Sequence, residues 1–165
     1  MESAAEPVMK ELLDTIPQKG SVSWIGLRPA RNVESEEVDQ VEAKPGSGLE
    51  GDRFKGGLIG KRQVTLIQEE HLTAVGQLLD KEIDPKLLRR NILVKGINLL
   101  ALHNRQFKVG DVVLEGTGYC HPCSKMEKAL GPGGYNAMRG HGGITAKVIA
   151  GGLIKKGDTV QFDVQ

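Results

Sequence analysis

Cys120 and Cys123 are the two cysteines of the chain, three residues apart in GTGYCHPCSKMEKALGPGGYNAMRGHGG, residues 116 to 143. A thiolate is both a nucleophile and a soft metal ligand, so the pair could ligate a metal, carry sulfur or cycle between dithiol and disulfide. In the following SKMEKAL, Ser124 and Glu127 have capping-box spacing, Ala129 and Leu130 extend an apolar face and Gly131 can end the segment. This predicts a short helix whose N-terminus meets the thiols. The partial positive charge there favours thiolate over thiol, and Lys125, Arg139 and a protonated His121 or His141 would push the same way.

The spacing leaves several uses open: an inert pair, a redox pair, a zinc site, or one thiolate on a soft metal. Zinc needs two further ligands, and His121, His141, His103 and His71 follow no finger or ribbon spacing. Thioredoxin-like proteins also place Cys-x-x-Cys at a helix start, but within a βαβ chain, whereas predicted strands surround the motif here. His71, alone at the start of another helical pattern, is given no function.

Two distant segments could hold an anion beside the thiols. GSGLEGDRFKGGLIGKR carries six glycines between Gly46 and Gly60, with Arg53, Lys55, Lys61 and Arg62 among them. Backbone N–H groups freed by glycine, with cations nearby, can cradle an anion, although such a run can equally be a plain flexible loop. No G-K-[ST] ends it, so it is not a Walker loop. Arg89 and Arg90 precede a strand over Asn91 to Val94, where paired guanidinium groups are suited to gripping a phosphate or carboxylate.

The elements that must position these groups read mainly as strands. VSWIGLRP is a strand closed by Pro29, VDQVEA is a second ending before Pro45, and RQVTLIQ is a third, alternating into the core. EEHLTAVGQLLD then has Leu72, Val75 and Leu79 at helical spacing with acidic residues in its first turn. QFKVGDVVLEG and LIKKGDTVQFD resemble each other, and Gly-Asp before a β-branched run predicts a hairpin of one sheet in each. ITAKVIAGG supplies another strand. Together these predict a mainly β, barrel-like fold of mixed strands with a few peripheral helices, not a parallel βαβ sheet. Residues 1–19, with Val8, Met9, Leu12, Leu13 and Ile16 at helical spacing, read as an N-terminal arm or short amphipathic helix, and residues 20–165 as one domain.

Composition narrows the function classes. With 39% apolar and 26% charged residues the chain is neither disordered nor a membrane protein, and a net charge of +1 with only 4% aromatics argues against a nucleic-acid binder. No apolar run is long enough to span a bilayer, and MESAAEPVMK lacks the order of a signal peptide, so the expected location is the cytoplasm.

GLEGDRF, RQVTLIQEEHL, RRNILVKGINLLAL, FKVGDVVLEGTGYCHPC and RGHGGITAKVIAGGLIKKGDTV, in this order from Gly20 to Phe162, resemble the MOSC domain, the module named for the C-terminal part of molybdenum cofactor sulfurases. The resemblance implies a β-barrel-like fold and a cysteine that either carries sulfur or ligates the molybdenum of a pterin cofactor. Cys123, in the Pro-Cys position, matches the family cysteine, with Cys120 as accessory, which makes Cys123 both the expected metal ligand and the catalytic residue. Arg53, Arg62, Arg89, Arg90, Asn91, Cys120, His121 and Arg139 are the expected cofactor-binding residues. Stand-alone members that reduce N-hydroxylated compounds suggest a small-molecule substrate. This chain lacks their further N-terminal domain, iron–sulfur cysteines and flavin domain, so the resemblance implies an electron-donor protein as partner. Cofactor sulfurases fuse a pyridoxal-phosphate domain to this module, and no sequence here would hold pyridoxal phosphate. Two other expectations stay open: a sulfur or metal-sulfur carrier with a persulfide on Cys123 and no turnover, and a Cys120–Cys123 redox protein.

Overall fold

The computed structural model describes residues 8–54 and 56–162; Lys55 and the first seven residues of the N-terminal arm lie outside the described residues. After helix α1 (Met9–Asp14) the chain forms strands β1 (Gly20–Leu27), β2 (Glu36–Glu37), β3 (Gln40–Lys44), β4 (Gly48–Leu49) and β5 (Val64–Gln68). Helix α2 (Glu69–Leu79) leads to β6 (Ile92–Lys95), β7 (Gln106–Val109) and β8 (Val112–Tyr119). Helices α3 (Ser124–Leu130) and α4 (Gly134–Met138) precede β9 (Ile144–Ala150), β10 (Gly152–Lys155) and β11 (Thr159–Phe162).

Among the described residues seven strands close a barrel in the order β11, β7, β8, β9, β5, β6, β1, with Gly20 of β1 pairing back onto Val160 of β11. Strands β10, β3 and β4 form a separate small sheet. The mainly β, mixed-strand expectation therefore holds. Within it sits one βαβ unit, because β5 and β6 pair in parallel and α2 supplies the crossover that parallel neighbours require.

That crossover explains why β5 does not alternate as its sequence suggested. Leu66 and Ile92 point into the barrel with Phe107 and Leu114, while Ile67 and Leu93, on the other face, pack under α2, α3 and α4 against Leu72, Val75, Met126 and Met138. Both faces of the strand are covered, so Val64, Leu66, Ile67 and Gln68 are all buried.

The two Gly-Asp turns also part company. Gly110, at φ 60°, closes the β7–β8 hairpin with Val109 opposite Val112. The turn at Gly157-Asp158 makes no hairpin, because β10 pairs with β3 while β11 pairs with β7 and β1. It instead passes the chain from the small sheet to the barrel: the Asp158 carboxylate accepts from Lys155 N at 2.8 Å, and Gly157 N donates to the Val22 carbonyl at 2.8 Å. Helix α1 leaves Val8, Met9, Leu12 and Leu13 exposed, and the arm is held to the barrel by Ile16 on the core and by an ion pair between Asp14 and Arg105.

Candidate functional site

Cys123 is the N-cap of α3 and is exposed, whereas Cys120 is 3% exposed beneath it. Ser124, expected to cap this helix, is already its first residue, and Glu127 does not reach back. Its carboxylate accepts from Gly133 N at 3.1 Å and Tyr135 N at 2.9 Å, satisfying the start of α4 instead. These hydrogen bonds hold the Glu127 carboxyl below its ordinary pKa.

The wall behind Cys120 is the Gly142-Gly143 segment. Cys120 N donates to Gly143 O at 2.9 Å, and a Cβ on Gly142 would lie 1.8 Å from Cys120 O. Gly143, at φ 86°, runs so close to β5 that a Cβ would fall 1.9 Å from Leu66 O. Only glycine permits either approach.

Both sulfurs line a cleft of about 720 Å³ together with Arg28, Asp52, Arg53, Phe54, Arg62, Thr65, Arg89, Arg90, Asn91, His121, Lys125 and Met126. The fold thus brings together Arg53 and Arg62 of the glycine-rich segment, Arg89, Arg90 and Asn91 before β6, and the cysteines after β8. Arg139 is not among the lining residues: it is exposed at the end of α4, its guanidinium 3.5 Å from Asn136 Oδ1.

Consecutive arginines reach one cleft because Arg89, which follows a short 3₁₀ turn over Pro85–Leu88, adopts a left-handed conformation at φ 61°. In a regular strand the two would point to opposite faces. Arg90 is 7% exposed; its Nε donates to Gly142 O and its Nη1 to Leu88 O, both at 2.9 Å. Arg90 Nη2 is buried without any hydrogen-bond partner among the described residues, and so is Arg28 Nη1. A buried donor left unpaired costs about 1–3 kcal/mol, more when it is charged. Burial, opposed by the neighbouring Cys120 sulfur, lowers the proton affinity of Arg90, and burial followed by repulsion from Arg89 does so for Arg28. Guanidinium groups nonetheless stay charged, so the cleft holds concentrated, underpaired positive charge.

The remaining predicted residues divide by task. Arg62 Nη2 donates to Cys120 Sγ at 3.8 Å. Asn91 is mostly structural: its Oδ1 accepts from Thr65 N and Oγ1 at 3.0 and 3.1 Å, and its Nδ2 donates to Gly26 O at 3.1 Å, tying β1, β5 and β6 together. His121-Pro122 forms no turn between the cysteines, so the local geometry differs from a helical Cys-x-x-Cys. Among the described residues no group of three or more His, Cys, Asp or Glu side chains comes together around a possible metal position. Sequence reading missed Arg28, Asp52, Phe54 and Thr65. Arg28 lay in a predicted strand end without a motif; Asp52, whose carboxylate accepts Arg28 N at 2.9 Å, and Phe54 stood on either side of Arg53, a residue already singled out.

The family profile for the MOSC domain matches residues 33–161. The chain belongs to the MOSC domain family. No protein with a curated description matches it by sequence. Among solved structures it is similar to the YuaD protein of Bacillus subtilis, with a TM-score of 0.76 and 17% identity over 88% of this chain and 97% of that one. YiiM from Geobacillus stearothermophilus gives a TM-score of 0.72 at 14% identity, covering 88% and 75%, and YiiM from Escherichia coli 0.66 at 16%, covering 88% and 70%. At such identities the likeness concerns the MOSC fold. Molybdenum cofactor binding is the general association of this family, and no described helix of this member is long and apolar enough to cross a membrane.

Proposed function

We propose that this MOSC protein binds a molybdenum–pterin cofactor in the arginine-lined cleft, with the Cys123 thiolate as metal ligand, and reduces N-hydroxylated small molecules with electrons from a partner protein. The observation that carries the reading is the pair of buried, unpartnered guanidinium nitrogens, Arg90 Nη2 and Arg28 Nη1, in the same cleft as an exposed thiol. Donors of that kind are satisfied by an anionic ligand, and a soft metal suits a thiolate. A volume of about 720 Å³ lies in the usual range for cofactor and ligand sites.

The residues divide the work along the cleft. Arg28, Arg53 and Arg89, close enough to repel one another, hold a phosphate; Arg90, which interacts with both Cys120 and Cys123, and Arg62, hydrogen-bonded to Cys120 Sγ, keep the sulfur end positive. Bound molybdenum supplies two-electron chemistry at an N–O bond. Cys120, buried and fixed by Arg62 and Gly143, positions the chain that carries Cys123. Lys125 and His121 are exposed lining residues, so a substrate reaching the cleft past them could take a proton there for its departing oxygen.

The test is metal and pterin analysis of protein purified from a cofactor-competent host. Molybdenum and pterin are expected in near-equal amounts in the parent and in Cys120→Ser, with metal lost in Cys123→Ala; parent protein devoid of both would sink the reading. The exposure of Cys123 also supports a second use, sulfur carriage as a persulfide without turnover. Thiol trapping under sulfur-donating conditions should then add the mass of one sulfur to the parent and none to Cys123→Ala.

A further inference from the structure

Beside the cleft stands a feature that cofactor binding leaves unused. Leu58 and Ile59 are 74% and 91% exposed, and they are the central residues of a turn closed by Gly60 N donating to Gly57 O at 3.0 Å. Turn centres usually take Gly, Pro, Asn, Asp or Ser. Two large aliphatic side chains held in water forgo about 1.5–3 kcal/mol of burial each.

The turn is fixed to the barrel. Gln63, 1% exposed, donates Nε2 to Gly57 O at 3.3 Å and Gly60 O at 3.0 Å, and its Oε1 accepts Val148 N at 2.9 Å. Gly56 and Gly60 fold onto the Phe54 ring so closely that a Cβ on either would lie 2.4 or 2.3 Å from its Cζ. Phe54 is itself a wall of the cleft, so the apolar turn is seated on the cleft rim.

Its surroundings are cationic. Lys61 follows the turn directly and Lys125 lies at the cleft, both exposed and neither among the arginines that hold the phosphate or face the sulfurs. Asp52 is the one carboxylate among the described residues that line the cleft, and it accepts from Arg28 N. Against a chain net charge of +1 this concentration is local, and it favours approach of a negatively charged surface.

We infer that the Leu58–Ile59 turn and its basic rim are the docking surface for an acidic electron-donor protein, the two aliphatic side chains entering an apolar dimple on the donor while cations of the rim pair with its carboxylates. A small apolar centre within a charged ring suits a transient redox encounter, which needs fast association more than a large interface. This inference rests on the proposed reductase reading and names its partner by chemistry.

The experiment compares two electron sources on the purified holoprotein with N-hydroxybenzamidine as substrate: reduced methyl viologen, and an acidic flavodoxin kept reduced by its reductase and NADPH. In Leu58→Ser/Ile59→Ser the flavodoxin-driven rate is expected to fall about tenfold, and in the parent it should fall as salt rises. The viologen-driven rate and the melting temperature should not change. Equal flavodoxin-driven rates in parent and variant overturn the inference, as does viologen-driven turnover without any flavodoxin-driven turnover. Co-sedimentation with vesicles of equal parts phosphatidylcholine and phosphatidylglycerol, lost in the double variant, would make the surface a membrane contact and likewise overturn it. Absence of turnover with both donors sinks the reductase reading itself, and the donor role with it.

Discussion

The two glycine-rich segments that flank the cleft look alike in sequence and behave oppositely in the fold. In residues 139–143 glycine removes side chains so that backbones touch: Gly142 lies on Cys120 and Gly143 on Leu66. In residues 56–60 glycine shapes a turn that faces solvent: Gly56 and Gly60 seat it on the Phe54 ring, and a Cβ on Gly57 would meet nothing within 4 Å. The first segment sets where the sulfur sits, and the second presents Leu58 and Ile59 to the outside. Glycine content alone therefore separates neither an anion cradle from a linker nor a packed wall from a rim.

The sharpest way to break this contrast is Gly143→Ala. Its positive φ and a 1.9 Å approach to Leu66 O leave no room for a methyl group between two barrel strands. A loss of about 3 kcal/mol or more, or failure to fold, is expected in thermal or urea unfolding. Arg90→Ala comes next. It removes hydrogen bonds to Gly142 O and Leu88 O and leaves those carbonyls unpaired, so about 2–4 kcal/mol of stability should go, and cofactor retention with it. Arg90→Lys keeps the charge without the fork and should restore part of the stability while recovering little cofactor.

Much of the barrel was legible because β-branched runs and their turns are local signals. β1, β3, β5, α2 and α3 appear within a few residues of where the patterns put them, and Arg53, Arg62, Arg89, Arg90, Asn91 and both cysteines do converge on one cleft. What could not be read is what depends on partners distant in sequence. The Gly157-Asp158 turn has hairpin chemistry, but the flanking strands are claimed by β3 on one side and by β1 and β7 on the other. Asn91 carries groups that could bind a ligand, yet Thr65 and Gly26 take most of them. Arg28 became visible only because β1 ends beside Arg89, and Arg139 fell away because α4 turns it outward.

Gly57→Ala sharpens the other half of the contrast. Here φ is 70°, so alanine pays the left-handed conformational penalty, but it clashes with nothing. A cost of about 1 kcal/mol is expected, well below that of Gly143→Ala although both positions are left-handed. Similar losses at the two sites would show that backbone conformation, not packing against Cys120 and β5, decides what glycine does in this cleft.

The smallest effect concerns Glu127, which joins α3 to the start of α4 just upstream of the 139–143 wall. Its carboxylate accepts from Tyr135 N and Gly133 N, and its pKa is lowered by those bonds in that order. A carboxyl group lowered on folding contributes stability above the unfolded-state value of 4.5, and that contribution is lost as pH falls through the folded-state pKa. Glu127→Gln should therefore melt slightly below the parent at neutral pH, with the difference shrinking once the parent carboxylate is protonated. Hydrogen exchange at the Gly133 and Tyr135 amides should speed up in the variant at neutral pH, while exchange in 56–60 stays unchanged. If both segments responded together, the packed wall and the exposed rim would be one cooperative unit and the division drawn between them would fail; a response confined to α4 and 139–143 means that sulfur placement and partner docking can be altered separately.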